Sequence, residues 1–207
     1  MFPRLFPLAA IVGVLFYPGP SFAQSPGETL PVRTKNLVIE ASLKRISSRS
    51  ALWREALDAL ASTGRHAVIL TPDQVVVTDA RGTDRRRFDP TVLAGAAPVP
   101  SQDGRVGVVV VVLNLPLLQD THRSRHSLPW EFEADLDRIL IHEVYGHALP
   151  YLLAGDLAGK CADPEPDERP ADACSIKREN AVRSELGLGR RKDSGLDGLA
   201  LMRPSAR

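Results

Sequence analysis

The residues of this chain best suited to chemistry are two histidines and a glutamate in the segment Ile141-His142-Glu143-Val144-Tyr145-Gly146-His147-Ala148. Neutral imidazoles are good ligands of Zn²⁺, and a bound zinc ion lowers the pKa of a coordinated water to about 7. Glu143, directly after the first histidine, could take the proton from that water. The residue types therefore predict zinc-assisted hydrolysis, with His142 and His147 as metal ligands and Glu143 as the general base.

The spacing of the two histidines sets a condition on the backbone. Helical zinc motifs place their histidines at i and i+4, whereas these stand at i and i+5. On a regular helix the second ring would lie about 140° around the axis and about 7.5 Å further along it. A π-helical turn would bring both rings to one face, and Gly146 weakens the helix directly before His147. We therefore predict a helical distortion near Gly146.

A straight helix would pair different residues. Glu143 and His147 are at i and i+4, so an undistorted helix would present them together and leave His142 elsewhere. Glu143 would then be a metal ligand, and the general base would be lost. The sequence leaves this alternative open.

The motif, written HExxGH, resembles the zinc motif of the dipeptidyl peptidase III family, in which an inserted residue lies in a distorted helix. The resemblance covers six residues, His142 to His147. It implies a zinc metallopeptidase with one Zn²⁺ per chain. Those enzymes are far larger than this chain of 207 residues, so the resemblance implies nothing about the rest of the architecture.

A third ligand is expected from a second helix, which follows the motif. The run from Ala173 to Leu188 is amphipathic, and Gly187 suits the end of a helix. Glu179 lies near its middle, 32 residues after His147. Two histidines from one helix and a glutamate from the next form the ligand set of a gluzincin. We therefore predict Glu179 as the third ligand, with Glu185 and Asp172 as the alternatives.

The same helix carries a second resemblance. The string Glu179-Asn180-x-x-Arg183-x-Glu185-Leu186-Gly187-Leu188 is similar to the segment after the zinc helix in bacterial effector-type and toxin-associated metallopeptidases. Glu179 also stands four residues before Arg183, and such pairs commonly form ion pairs on helix surfaces. A plain ion pair is thus the competing interpretation of Glu179.

The amino terminus has the pattern of a secretory signal peptide. A basic start that contains Arg4 precedes an apolar run, and Ser21 and Ala23 are small residues at the positions that signal peptidase requires. We predict cleavage after Ala23 and a periplasmic or secreted protein, with no stable membrane association after processing. Removing Arg4 takes the formal charge from +1 to 0, which gives no indication of a nucleic-acid partner.

Cys161 and Cys174, the only two cysteines, agree with export. They flank a proline-rich acidic segment between the two helices predicted to carry the metal. In an oxidising compartment they should form a disulfide. Such a bond would limit how far the helix with Glu179 can move from the helix with His142 and His147.

Hydrophobic periodicity places the elements that must position these residues. A compact α+β, zincin-like domain is expected, with a small sheet packed against the active-site helix and the second ligand-bearing helix. The five successive valines Val108–Val112, within the segment 105–115, predict a strand buried on both faces. The other predicted elements are helices at residues 50–62, 129–149 and 173–188, strands at 37–39, 65–70 and 74–78, and a polar loop at 119–127 that contains His122 and His126.

These elements give the expected domain organisation. Its parts are a signal peptide (1–23), an extended lead-in (24–36), a metallopeptidase-like domain (37–190) and a flexible C-terminal tail (191–207). The predicted function is an exported zinc metallopeptidase that acts on peptide or protein substrates. The alternatives are a non-catalytic periplasmic binding or structural domain and a secreted effector or toxin peptidase. Candidate transition-state stabilisers are Tyr145, Tyr151, Arg183 and His126. The sequence predicts no oligomeric state.

Overall fold

The fold combines a small mixed sheet with helices, and the α+β class is therefore as expected. The computed structural model describes residues 31–78, 85–87, 89, 91–161 and 173–191. The strands are β1 (Val32–Arg33), β2 (His66–Leu70), β3 (Val76–Thr78), β4 (Arg85–Arg87), β5 (Ala94–Pro100) and β6 (Val106–Leu113). The helices are α1 (Leu37–Arg49), α2 (Ala51–Ala61), α3 (Leu115–Ser124), α4 (Pro129–Leu140), a π-helix (Ile141–Ala148), α5 (Leu149–Ala154) and α6 (Cys174–Glu185).

The main sheet has four strands in the order β1-β2-β6-β5. β1, β2 and β6 are parallel, and β5 runs antiparallel to β6 at the end of the sheet. β3 and β4 form a separate antiparallel pair. The lead-in before α1 thus ends in a strand that joins the sheet.

The strand β6 is buried on both faces, as its apolar run predicts. Val109 and Val111 face the main core, which the helices cover. Val110 and Val112 face the other side of the sheet, where they pack with Val75 in a smaller cluster. Burial on two faces explains why this strand shows no alternation of apolar and polar residues.

Two local predictions are wrong. Residues 37–39 begin α1 instead of forming a strand, because the Asn36 side chain accepts hydrogen bonds from Val38 N–H and Ile39 N–H and so caps a helix. The polar segment at 119–127 is helical up to Ser124, and His122 on α3 is buried against Phe132. His126, by contrast, is exposed, as expected for a loop residue.

The helix that leads into the motif is fixed to α1 by a partly buried ion pair. Asp137 on α4 accepts hydrogen bonds from Arg45 Nε at 2.9 Å and from Ser42 Oγ at 2.5 Å. Charge-assisted bonds of this kind are stronger than neutral ones, and Ser42 and Asp137 are both buried. α4 therefore enters the π-helix from a firmly held position.

Cys161 and Cys174 form the predicted disulfide, with a Cα–Cα distance of 5.3 Å. The bond joins the chain after α5 to the first residue of α6. The predicted signal peptide (1–23), the acidic segment between the cysteines and most of the predicted tail lie outside the described residues. Within the described ranges, no helix has the length and apolar character needed to cross a membrane.

Replacing both cysteines with serine should lower the free energy of unfolding by roughly 3 kcal/mol, because the bond closes a loop of 13 residues in the unfolded chain. Urea denaturation of the variant and of the wild type measures the difference. Thiol titration of the unfolded, non-reduced wild type should find no reactive thiol. Two thiols per chain would contradict the bond.

Candidate metal centre

The two histidines of the motif converge because the helix between them is a π-helix. It spans Ile141–Ala148, and at its end Leu149 N–H donates to Val144 C=O, a bond from i to i−5. His142 Nε2 lies 3.2 Å from His147 Nε2. Two nitrogen ligands of a tetrahedral zinc ion, each at 2.0 to 2.1 Å, stand about 3.3 to 3.4 Å apart. The predicted distortion of the helix is confirmed. The backbone is not the straight helix that would have presented Glu143 and His147 together.

The remaining nitrogen of each ring has an acceptor. His147 Nδ1–H donates to the Cys161 carbonyl at 3.1 Å, and His142 Nδ1–H donates to Glu179 Oε2 at 3.0 Å. With hydrogen on Nδ1 of both rings, the two Nε2 lone pairs face each other at 3.2 Å, an arrangement that a cation between them would stabilise. With hydrogen on one Nε2, the same contact is a hydrogen bond between the two rings. This donor set fits a metal ion.

Glu143 directly follows His142 in the π-helix, and 8% of its surface is exposed. Its sequence position, directly after His142, is the one that the general base requires.

Glu179 is brought to the same place by α6. It is 1% exposed, and its Oε1 accepts from Arg183 Nη1 at 2.6 Å while Oε2 lies 3.2 Å from Arg191 Nη1. Burial raises the pKa of the carboxyl, but the hydrogen bond and charge of His142, with Arg191 and Arg183, bring it down to about 2. The contact with His142 and the ion pair with Arg183 thus occur together.

The described residues bring together two converging ligands and not three. Oε2 of Glu179 contacts Nδ1 of His142, on the opposite side of the ring from the facing nitrogens. Among these residues no group of three or more His, Cys, Asp or Glu side chains is arranged around one point. Glu185 instead accepts from Ser50 Oγ at the start of α2, and Asp172 lies outside the described residues.

Gly146 eases the close packing of the π-helix against α6. A Cβ atom at this position would lie 3.3 Å from the Ser175 carbonyl oxygen, tighter than an ordinary contact. The glycine therefore lets the first turn of α6 approach the π-helix, which brings Glu179 within reach of His142.

Arg178 completes the hydrogen bonding of the π-helix. In the register set by the Leu149 bond, the Tyr145 carbonyl would accept from residue 150, which is proline and has no N–H. Arg178 Nε donates to this carbonyl at 3.0 Å. Its guanidinium also lies 4.8 Å from the centre of the Tyr145 ring, which in turn stacks on Trp53.

The four residues predicted as transition-state stabilisers do not gather at the histidines. Tyr145 is buried between Trp53 and Arg178, and Tyr151 is partly buried against the main core. Arg183 donates to Glu179 and to the Gly189 carbonyl, while His126 lies in an exposed turn with φ of 53°.

Arg191 is the site residue that the sequence did not reveal. It was the first residue of the predicted tail, yet its Nη1 lies 3.0 Å from His142 Nδ1. A run of two arginines after a helix gives no indication of a return toward the two histidines. The one available signal was Asn180, a residue that readily bonds to backbone groups.

Comparisons with known proteins give no further indication of function, since no family model, no curated protein and no solved structure matches this chain.

Arg178→Met should weaken metal binding, because the unpaired Tyr145 carbonyl would draw the helix away from the π register. The expected loss in the free energy of unfolding is about 1 to 3 kcal/mol, the scale of an unsatisfied buried acceptor. Urea denaturation and zinc competition with a chelator measure the two effects. Lys177→Met, at the exposed neighbouring position, is the control and should change neither value; equal behaviour of the two variants would contradict this role.

Proposed function

We propose that this protein is an exported zinc-dependent hydrolase, most specifically a peptidase. The observation that carries the proposal is the pair of facing imidazole nitrogens, 3.2 Å apart, on a π-helix. Each ring is oriented from behind by a hydrogen-bond acceptor, which is the usual arrangement around a ligating histidine. The disulfide fits an oxidising compartment and so supports export.

His142 and His147 would hold Zn²⁺ through Nε2. The ion would supply a polarised carbonyl and a water of lowered pKa. Glu143, buried and next to this pair, would accept the proton of that water during attack on the peptide carbonyl. The same carboxylic acid would then protonate the departing amine.

Glu179 is proposed as the third ligand, and its present contact suggests how it would act. As a ligand, the carboxylate would turn from Nδ1 of His142 toward the side of the facing nitrogens while Arg183 keeps hold of Oε1. If it stays on Nδ1, it orients His142 and the ion takes its third ligand elsewhere. Either role makes Glu179 necessary for tight metal binding.

The position of β5 favours a peptide as the substrate. β5 packs against the π-helix, and no described strand pairs with its outer edge. Asn114 N–H donates to Leu93 C=O, so the odd-numbered residues of β5 face β6 and the backbone groups of Ala94 and Ala96 point outward. An extended peptide would add to this edge as a further strand, on the strand that packs against the π-helix. Asn114 itself caps α3 by accepting from Leu117 N–H.

A non-catalytic binding or structural domain is the second candidate. The contacts of Glu179 with Arg183, Arg191 and His142 form a paired network of a kind that also stabilises proteins without any metal. The two candidates differ in one simple property, which is the metal content of the purified protein. A secreted effector or toxin peptidase would share the chemistry of the first candidate.

Protein purified without chelators should contain about one zinc ion per chain, measured by elemental analysis. Treatment with a strong chelator should remove the ion and abolish cleavage of a diverse peptide library, and added zinc should restore both. Protein that neither contains zinc nor binds it on addition would sink the proposal and favour the non-catalytic domain.

Two substitutions should separate chemistry from metal binding. Glu143→Gln keeps the size of the side chain but cannot accept a proton, so zinc should stay near one per chain while turnover falls by about 10²-fold or more. Glu179→Ala should lower zinc affinity and turnover together. If Glu143→Gln loses zinc and Glu179→Ala keeps zinc and activity, these roles are wrong.

A further inference from the structure

The oxygen of Glu179 that would have to reach a metal ion already has two partners. Oε1 accepts from Arg183 Nη1 at 2.6 Å, whereas Oε2 accepts from His142 Nδ1 at 3.0 Å and from Arg191 Nη1 at 3.2 Å. In the proposed function Arg183 keeps Oε1, so Oε2 is the atom that turns toward the facing nitrogens. It must leave Arg191 to do so.

The guanidinium of Arg191 also lies against the ring of His142. Its Nη1 is 3.0 Å from Nδ1 and 3.5 Å from Nε2. An atom this close to both nitrogens lies beside the ring and not in line with either of them. A guanidinium commonly packs against a flat ring in this way. Arg191 thus contacts both the carboxylate and the first histidine of the motif.

The main chain of Arg191 is fixed independently of its guanidinium. Asn180 Nδ2 donates to the Arg191 carbonyl at 3.0 Å, and Arg191 N–H donates to Asn180 Oδ1 at 2.7 Å. Asn180 is 5% exposed and directly follows Glu179 on α6. The guanidinium can therefore move away from Glu179, or be removed by substitution, while this pair of backbone bonds stays intact.

The two arginines that contact Glu179 differ in how easily they can leave it. The side chain of Arg183 is 4% exposed, and it also donates to the Gly189 carbonyl. The side chain of Arg191 is 13% exposed. Breaking a fully buried ion pair leaves an uncompensated charge in the protein, whereas a group nearer to solvent can replace its partner with water. Arg191 is thus the contact that gives way first.

A divalent cation and a guanidinium repel each other, and here both require the same carboxylate oxygen. We propose that Arg191 is an autoinhibitory residue: it holds Oε2 of Glu179 away from the facing nitrogens, and metal binding displaces it. Arg191 would then set the concentration of free zinc at which the site fills. The inference rests on the proposed function, with Glu179 as the third ligand, and adds to it a control on metal occupancy.

Zinc affinity, measured by competition with a chelator, is the first test. Arg191→Ala should bind zinc about 10-fold more tightly than the wild type, the scale of one charge-assisted hydrogen bond that no longer has to be broken. Arg191→Lys should gain less, because it keeps the charge. Arg190→Ala is the matched control, since Arg190 is exposed and lines a cavity with Lys177 and Ser184. Its zinc affinity should stay within about twofold of the wild type, because exposed charges are screened by solvent.

The guanidinium signals in nitrogen-15 NMR spectra of the full chain are the second test. The signal of Arg191 is identified by its loss in Arg191→Lys. Adding zinc should shift or broaden this signal, because the guanidinium leaves Glu179. The signal of Arg183 should stay in place, because this side chain keeps Oε1 and the Gly189 carbonyl.

The outcomes distinguish this inference from the proposed function. A wild type that binds no zinc overturns both. A wild type that binds zinc, with unchanged or weaker binding in Arg191→Ala, overturns the role of Arg191 alone, because the side chain would then be neutral or would support the ligands. An equal gain in Arg190→Ala also overturns that role, since net charge would explain it. So does an Arg191 signal that zinc leaves unchanged.

Discussion

The arrangement of the site depends on one extra residue between two histidines. A regular helix cannot aim His142 and His147 at one point, so the backbone takes up the insertion as a π-helix over Ile141–Ala148. Neighbouring elements support that distortion. Arg178 bonds to the carbonyl that Pro150 cannot serve, and the missing side chain of Gly146 lets α6 approach. The placement of the two imidazole rings thus depends on residues of a second helix, α6.

Charge organises the same region. Glu179 is almost fully buried, and its carboxyl pKa of about 2 reflects contacts with His142, Arg191 and Arg183 that outweigh the effect of burial. When folding lowers the pKa of a carboxyl group, the ionised group stabilises the folded protein at pH values above its ordinary pKa of 4.5. That stabilisation disappears as the pH falls from 4.5 toward 2. The network therefore contributes to holding α6 against the π-helix at neutral pH, and it contributes less in acid.

Sequence patterns predicted the parts of the molecule that local physics determines. The apolar run of β6, the spacing of His142 and His147, and the pairing of the two cysteines were each sufficient for a correct structural prediction. The strand predicted at residues 37–39 was wrong because the Asn36 cap, which favours a helix, outweighs the strand preference of the β-branched residues that follow it. Arg191 could not be found, since its position depends on a bond to Asn180 across a chain reversal, which no periodicity records. The edge strand β5, rich in alanine and proline, lacks the composition of a strand altogether.

The carbonyl that orients His147 belongs to Cys161, one end of the disulfide. Formation of the disulfide therefore affects which ring nitrogen of His147 carries the hydrogen. Before oxidation, nothing covalent holds this carbonyl near α6, and either ring nitrogen of His147 could carry the hydrogen. Oxidation, by fixing this carbonyl, favours the tautomer of His147 with hydrogen on Nδ1, which leaves Nε2 facing His142. In the proposed function, the disulfide would therefore form before a competent metal centre does.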